Sequence, residues 1–270
     1  MSLNMPAEQW VKCANCRELV YRKEFDRLLR VCPLCNYHQR LTAAERLEIT
    51  VDEGSFKELD QGLTSADPLR FPDYGEKLKI TIDQTGMKEA VVTGEALLAG
   101  YPIQLGIMDF HFRVGSMSAA AGEKVTRVFV RGAEQQQPVV FFIASGGARV
   151  QEGLHALMQM AKTSAAVARL QAAGVPFISI LTDPSMAGVL ASFASLGDVI
   201  IAEPGAVIGF TGPRVMEQTI RIKLPEGHQS AEFQLRCGQV DMVVDRVRMR
   251  ATLRSLLRCL VGPRDEKEQD

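Results

Sequence analysis

The sequence predicts an α/β domain carrying a small metal-bound ribbon near its N-terminus. Two observations carry that prediction. From about residue 90, apolar strand-like runs alternate with longer helical runs, and four of the six cysteines read C-x2-C-x15-C-x2-C. Alternation of this kind is the mark of a layered α/β architecture. Composition agrees, because 46% hydrophobic and 23% charged residues in a 270-residue chain exclude a disordered or fibrous protein. Lys and Arg total 31 against 32 Asp and Glu, a formal net charge of −1. No global pull toward nucleic acid or an anionic membrane follows from that balance. The apolar runs are far shorter than the roughly 20 residues of a bilayer span. The stretch MSLNMPAEQW lacks the apolar core of a secretory signal, so a cytoplasmic location is expected.

Residues 10–40 are expected to form the ribbon. Cys13-Ala-Asn-Cys16 and Cys32-Pro-Leu-Cys35 each make a knuckle whose two sulfurs point one way. Two knuckles complete a tetrahedron around a structural Zn²⁺. So short a segment cannot bury enough apolar surface to fold unaided, and metal binding supplies the difference. Two disulfides are the competing reading, disfavoured in a reducing compartment. His38 follows Cys35 closely, but four thiolates already fill the site, so a surface or packing role is expected. Cys237 and Cys259 are isolated and expected to be buried structural thiols.

Residues 41–89 read as a connector with short helices. Thr42-Ala-Ala-Glu45 is a capping box, and a second helix is expected at Tyr74–Thr81. Residues 90–262 read as the main domain. Val91–Leu98 and Ile103–Phe110 suggest a hairpin across Gly100-Tyr101-Pro102. A helix over Ala119–Gln136, a buried strand over Val139–Ala144 and a long helix over Gln151–Ala173 follow. Strands at Phe177–Leu181, Val199–Ala202 and Val207–Phe210 and a last helix at Val247–Val261 complete it. Residues 263–270 form a charged tail.

The strongest candidate for chemistry is Ser145-Gly146-Gly147-Ala148-Arg149. It lies between an apolar strand and a helical run. Paired glycines there let the chain turn tightly and let a ligand approach the backbone. Amides at a helix start lack intrahelical partners and meet the positive end of the dipole. Such amides can hold an oxyanion, for example the enolate of a thioester. A plain glycine turn is the alternative. Gly147-Ala-Arg149-Val-Gln-Glu152 is echoed by Gly212-Pro-Arg214-Val-Met-Glu217, which suggests a repeated strand–turn–helix unit. Arg149 and Arg214, in the first turns of their helices, are offered an anion by a substrate carboxylate or phosphate, or simply by Glu152 and Glu217. A hydrolase elbow is excluded because Ile143 stands where it needs glycine. The run Gly115 to Val125 fails as a phosphate loop in spacing and in its last residues. His111, His155 and His228 read as structural, and Met158 and Met160 as helix packing.

These residues together resemble the β subunit of bacterial acetyl-CoA carboxylase carboxyltransferase. The likeness runs from Cys13 to about Arg250. It includes Cys32-Pro-Leu-Cys-Asn-Tyr-His38, Ser145-Gly-Gly-Ala-Arg149 with Gln151-Glu-Gly153, and Leu181-Thr-Asp-Pro184. Ile201-Ala-Glu-Pro204, Gly212-Pro-Arg-Val215 and Leu224-Pro-Glu-Gly227 extend it. The resemblance implies a crotonase/ClpP-like ββα spiral core. It implies carboxyl transfer from biotin on a carrier protein to acetyl-CoA, giving malonyl-CoA for fatty acid biosynthesis. It also implies an α subunit in an α2β2 assembly, a biotin carboxyl carrier protein and, indirectly, biotin carboxylase. By the same likeness the amides of Gly146 and Gly147 steady the thioester enolate. Ser145, Arg149, Gly188, Gly212 and Arg214 line the coenzyme A substrate, and Cys13, Cys16, Cys32 and Cys35 hold zinc.

The chain departs from the family pattern at Val114, Ser118 and Ala187, where glycines are usual. A specialised paralogue acting on another acyl-CoA, or a decarboxylase-type subunit, is therefore a second expectation. A zinc-ribbon nucleic-acid binder with an inert core is a third. Glu18, Glu24 and Asp26 interleave the ribbon's basic residues, which favours a solvated mixed surface over that reading.

Overall fold

The computed structural model describes residues 9–263 apart from 222–224 and 226. Leu224 and Glu226 of the predicted motif and the tail from 264 lie outside the described residues. The ribbon pairs β1 (Trp10–Lys12) antiparallel with β2 (Leu19–Tyr21), followed by α1 (Arg22–Arg27). Among the described residues its buried core is Cys13, Val20, Phe25 and Cys32, with Val11, Cys16, Cys35 and Tyr37 partly buried against it. So few buried side chains cannot offset the entropy of ordering the segment, which explains why a metal clip is needed.

Next come α2 (Ala43–Thr50), β3 (Lys57–Leu59), α3 (Tyr74–Thr85), β4 (Val91–Leu98) and β5 (Tyr101–Met108). They are followed by α4 (Ala119–Gln135), β6 (Val139–Ser145), α5 (Leu154–Ala172) and β7 (Phe177–Met186). The chain continues through α6 (Ala187–Leu190), β8 (Val199–Ala202), β9 (Ile208–Gly209) and α7 (Pro213–Ile220). It closes with α8 (Ala231–Arg236), β10 (Met242–Val243) and α9 (Arg246–Val261). One sheet runs β10-β8-β7-β6-β5-β4-β3, with β9 alongside β7. Strands β3 to β5 are antiparallel, and β5-β6-β7-β8-β10 are parallel.

A parallel strand covered on both faces reads as a continuous apolar run, and β6 does. Val139, Phe141 and Ile143 pack with Val125, Phe129 and Val167 of α4 and α5. Val140 and Phe142 pack the other way, with Ala43 of α2 and Met249, Leu253 and Leu257 of α9. Helix α2 opens with the expected capping box: the Glu45 amide donates to Thr42 Oγ1 at 3.2 Å and the Thr42 amide to Glu45 Oε2 at 2.8 Å. Residues 41–89 do more than connect, since α2 covers the sheet and β3 extends its edge.

Several expectations need correction. The hairpin turns at Ala99-Gly100, both left-handed, and Tyr101 and Pro102 belong to β5. Pro102 is tolerated because the carbonyl of its partner Leu97 accepts from the Asp52 amide at 2.8 Å instead. The predicted helix from Gln151 begins only at Leu154, after a 3-10 turn at Val150–Glu152 and a left-handed Gly153. Cys237 and Cys259 are exposed. Met158 is exposed, while Met160 packs against the core. Cys237 caps the end of α8, and Cys259 and Met158 lie on outward faces of α9 and α5, a choice that a lone residue does not reveal.

Candidate active site and metal centre

Strand β6 delivers Ser145 at its C-terminal end, beside the point where the neighbouring strand β7 runs directly into α6. Ser145 is fully buried; its Oγ donates to the Gly115 carbonyl at 2.6 Å and accepts from the Gly147 amide at 3.0 Å. Gly146 is exposed, and its amide donates to the Val114 carbonyl at 2.9 Å. Gly147 has φ +117°, and a Cβ there would lie 2.6 Å from Ala187 Cβ and 3.7 Å from the Gly188 amide nitrogen. Glycine is thus required at 147 by both conformation and space. The segments after β5, β6 and β7 converge here. The Met117 amide donates to the Gly147 carbonyl and the Arg149 amide to the Met117 carbonyl, each at 2.8 Å.

The structure therefore gathers Ser145, Gly146, Gly147 and Gly188 in one place. It also changes two parts of the expectation. The glycine amides do not open a helix, because α5 starts only at Leu154. Both amides already have acceptors within the protein, Val114 O and Ser145 Oγ. A backbone N–H without an acceptor costs about 1–3 kcal/mol when buried, so a closed loop finds the nearest one.

Arg149 is turned inward. Its side chain is 0% exposed and sits on Glu89, with Nη2 2.7 Å from Oε1. Nη1 donates to Ser65 Oγ at 2.5 Å, Nε to Ser116 Oγ at 3.0 Å and Nη2 also to the Ser116 carbonyl at 2.8 Å. Glu152, the partner suggested by spacing, lies 3.9 Å away. Glu152 instead accepts from Tyr74 Oη at 2.7 Å and from the Ala119 amide at 2.7 Å. Burial pushes the Tyr74 phenol up to about 12, against the nearby Arg149, so it stays a donor. Ser118 caps α4 by accepting from the Ala121 amide at 2.9 Å, and its hydroxyl donates to Glu89 at 2.8 Å. Arg149 thus ties the glycine loop to the 113–118 segment and to α4.

Gly212 caps α7 in open space, with nothing within 4 Å of where a Cβ would stand. The side chain of Arg214, on α7, lies outside the described residues. His111 pairs with Asp109 at 2.8 Å, and His155 is exposed. Among the described residues no histidine is bonded to the glycine loop.

The four ribbon cysteines converge, with all Sγ atoms within 4.8 Å of one another. Cys13 and Cys35 Sγ are 3.7 Å apart and Cys16 and Cys32 Sγ 3.9 Å. These separations exclude disulfides and match the edge of about 3.8 Å of a Zn–S tetrahedron with 2.3 Å bonds. The donor set fits a closed structural zinc site.

The ribbon is fastened to the main domain by buried charge. Glu203, after β8, accepts from Arg46 Nη1 at 2.7 Å and from Arg246 Nε and Nη2 at 2.9 and 2.7 Å. Burial alone would raise the Glu203 carboxyl, but the two guanidinium groups override it and hold it far below the usual range. Arg246 Nη1 also donates to the Leu29 carbonyl of the ribbon at 3.0 Å. His38 is buried, accepts from the Arg246 amide at 3.3 Å and sits 3.0 Å from the Asn36 carbonyl through Nδ1. Burial lowers its pKa, so it serves as a neutral packing group joining ribbon to core. Arg40 stacks 4.2 Å from the Phe110 ring centroid and donates to Asp183 at 3.1 Å.

Sequence reasoning missed Glu89, Tyr74, Arg46 and Arg246, whose partners lie far away in the chain. Glu203 gave one signal, since it directly follows the apolar run Val199–Ala202.

Comparison with known proteins gives a consistent result. Residues 36–223 match the carboxyl transferase domain family and residues 10–35 the acetyl-CoA carboxylase zinc finger domain. The acetyl-coenzyme A carboxylase carboxyl transferase subunit beta of Desulforamulus reducens is 55% identical over 94% of this chain and 88% of its own. That of Pelotomaculum thermopropionicum is 54% identical over 94% and 89%. Among solved structures, the transcarboxylase 12S core with methylmalonyl-coenzyme A is 28% identical with a TM-score of 0.70, covering 81% of this chain. The chain spans only 41% of that protein. A Pseudomonas malonate decarboxylase hetero-tetramer, 22% identical with a TM-score of 0.67 over 85% of this chain and 92% of that one, shares the fold alone.

Proposed function

Because the chain belongs to the family of acetyl-coenzyme A carboxylase carboxyl transferase β subunits, we propose that its glycine loop is the site where the acetyl-CoA enolate is stabilised. The family's activity is carboxyl transfer in acetyl-CoA carboxylation, with zinc in the ribbon and malonyl-CoA feeding fatty acid biosynthesis. Biotin on a partner protein supplies the carboxyl group.

The observation that carries the reading is the convergence of Gly146, Gly147 and Gly188 at the ends of β6 and β7, where Gly147 admits no side chain. The acetyl α-proton would pass to the biotin nitrogen that gives up its carboxyl group, leaving negative charge on the thioester oxygen until the α-carbon bonds the released carboxyl carbon. Main-chain N–H groups aimed at that oxygen favour the enolate over the ground state, and one such donor is typically worth about 3–4 kcal/mol. The Gly146 and Gly147 amides reach it by exchanging Val114 O and Ser145 Oγ for the substrate oxygen. Gly188, whose nitrogen lies 3.7 Å from where a Cβ on Gly147 would stand, offers a further amide. Arg149 acts through the loop it braces and does not touch the substrate.

Partners are part of this reading. Val150, Leu154, Leu157 and Met158 form an exposed apolar row running from the glycine loop into α5, at 56–75% exposure. An apolar strip of this kind marks a protein contact, and the α subunit, in an α2β2 assembly, is the occupant that the family supplies. The biotin carrier then approaches across that junction. Among the described residues no helix is long and apolar enough to cross a membrane, and cytoplasmic work with soluble partners fits this.

The test combines the purified chain with its α subunit and carboxylated biotin carrier and follows malonyl-CoA. We expect formation by the wild type. Gly147→Val should abolish transfer, at least 100-fold, and lower the melting temperature through strain at φ +117°, while zinc content stays near wild type. Transfer that survives Gly147→Val would remove the loop from the chemistry.

A further inference from the structure

Resting on the carboxyl-transfer reading of the glycine loop, we propose that Val114 and Ala187 set the size of acyl group the site accepts. They narrow a site already built for the two-carbon acetyl thioester and lower its tolerance of longer chains.

Both residues hold conformations that belong to glycine. Val114 has φ 59° and Ala187 φ 52°. A β-branched residue in the left-handed region is an outlier, and it persists only where its surroundings dictate it. Packing does not repay Val114, because it is 52% exposed and contributes no buried core surface. Its side chain lies instead against the glycine loop. Its Cβ and Cγ1 are each 3.8 Å from where a Cβ on Gly146 would stand. Ala187 approaches from the segment after β7, its methyl carbon 2.6 Å from the corresponding position on Gly147. The two glycines that leave the backbone bare are thus each faced by an alkyl group from a different segment.

The chemical consequence follows from reach. An acyl oxygen held about 2.7–3.1 Å from these amides puts its α-carbon one bond beyond the carbonyl carbon, within van der Waals reach of the same walls. Acetyl presents only hydrogens there. Propionyl adds a methyl group that must compete for space with the Val114 isopropyl or the Ala187 methyl. One methylene in such a pocket discriminates about 10- to 200-fold in kcat/KM.

The experiment uses the reconstituted complex of this chain with its α subunit and carboxylated biotin carrier. kcat/KM is measured for acetyl-, propionyl- and butyryl-CoA. In the double variant Val114→Gly, Ala187→Gly, the propionyl-to-acetyl ratio should rise by about 10-fold or more, with a smaller rise in each single variant. Glycine adopts both backbone conformations without strain, so the variants should fold, and melting with zinc content checks this. Val114→Ile, which enlarges the wall without changing the backbone class, should move the ratio the other way. An unchanged ratio in the folded double variant overturns the proposal while leaving carboxyl transfer intact. A wild-type complex that carboxylates none of the three thioesters overturns the functional reading and this inference with it.

Discussion

Two buried ion networks hold this molecule together, and they are mirror images in charge. Under the glycine loop, one arginine, Arg149, serves the carboxylate of Glu89 with Glu152 close by. Under the ribbon, one carboxylate, Glu203, serves Arg46 and Arg246. The first network joins loops that surround the site. The second joins a metal-bound appendage to the main domain. Buried ion pairs add little net stability over an apolar replacement, yet breaking one strands a charge at a cost of about 3–5 kcal/mol. Each network therefore fixes an arrangement more than it stabilises a fold, and the two arrangements should fail in different ways.

The sharpest break in stability should come from Glu203→Gln. It leaves two buried guanidinium groups around a neutral amide, and we expect about 3–5 kcal/mol lost in denaturant unfolding, with the four-thiolate site still metal-loaded. The pH dependence has a defined sign. The folded Glu203 carboxyl is held below its unfolded value, so its contribution is present above about pH 4.3 and is lost as pH falls through the folded value. The variant should lose that part of the acid sensitivity.

A smaller effect is expected from Arg149→Lys. An ammonium cannot replace the forked contacts to Glu89, Ser65 and Ser116, so about 2–3 kcal/mol should be lost. Unlike Glu203→Gln, this change should lower kcat more than it raises KM, because it loosens the loop without removing a substrate contact. Equal effects on turnover from the two variants would erase the distinction between the networks. The mildest probe is Tyr74→Phe. It removes the donor to Glu152 and should cost about 1–2 kcal/mol, with kcat reduced only modestly.

The two regions also differ in how far the sequence disclosed them. The ribbon was legible because metal geometry is local: two knuckles at fixed spacing define the site before any tertiary contact forms. Helix α2 was legible for the same reason, through Thr42 and Glu45. The parallel strands at Val139 and Val199 announced themselves as unbroken apolar runs. The glycine loop was visible as a motif, but its wiring was not. Arg149 reads as a free cation until Glu89, 60 positions away, is placed beside it. Arg46 and Glu203, 157 positions apart, gave no pairing signal at all. Strand β3 is three residues long and polar, so only pairing with β4 creates it. Likewise Gly100-Tyr-Pro looked like a turn, since nothing local tells that Leu97 has already given its carbonyl to Asp52.

The central claim is that bare backbone at Gly146 and Gly147 holds the charge on the thioester oxygen. A crystal structure of the complex with acetyl-CoA tests it most directly. The account predicts the thioester oxygen within about 2.7–3.1 Å of the Gly147 amide and of a second amide from Gly146 or Gly188, with the Val114 carbonyl or Ser145 hydroxyl displaced. A bound thioester whose oxygen is held elsewhere, while Val114 O and Ser145 Oγ keep both amides, would contradict it.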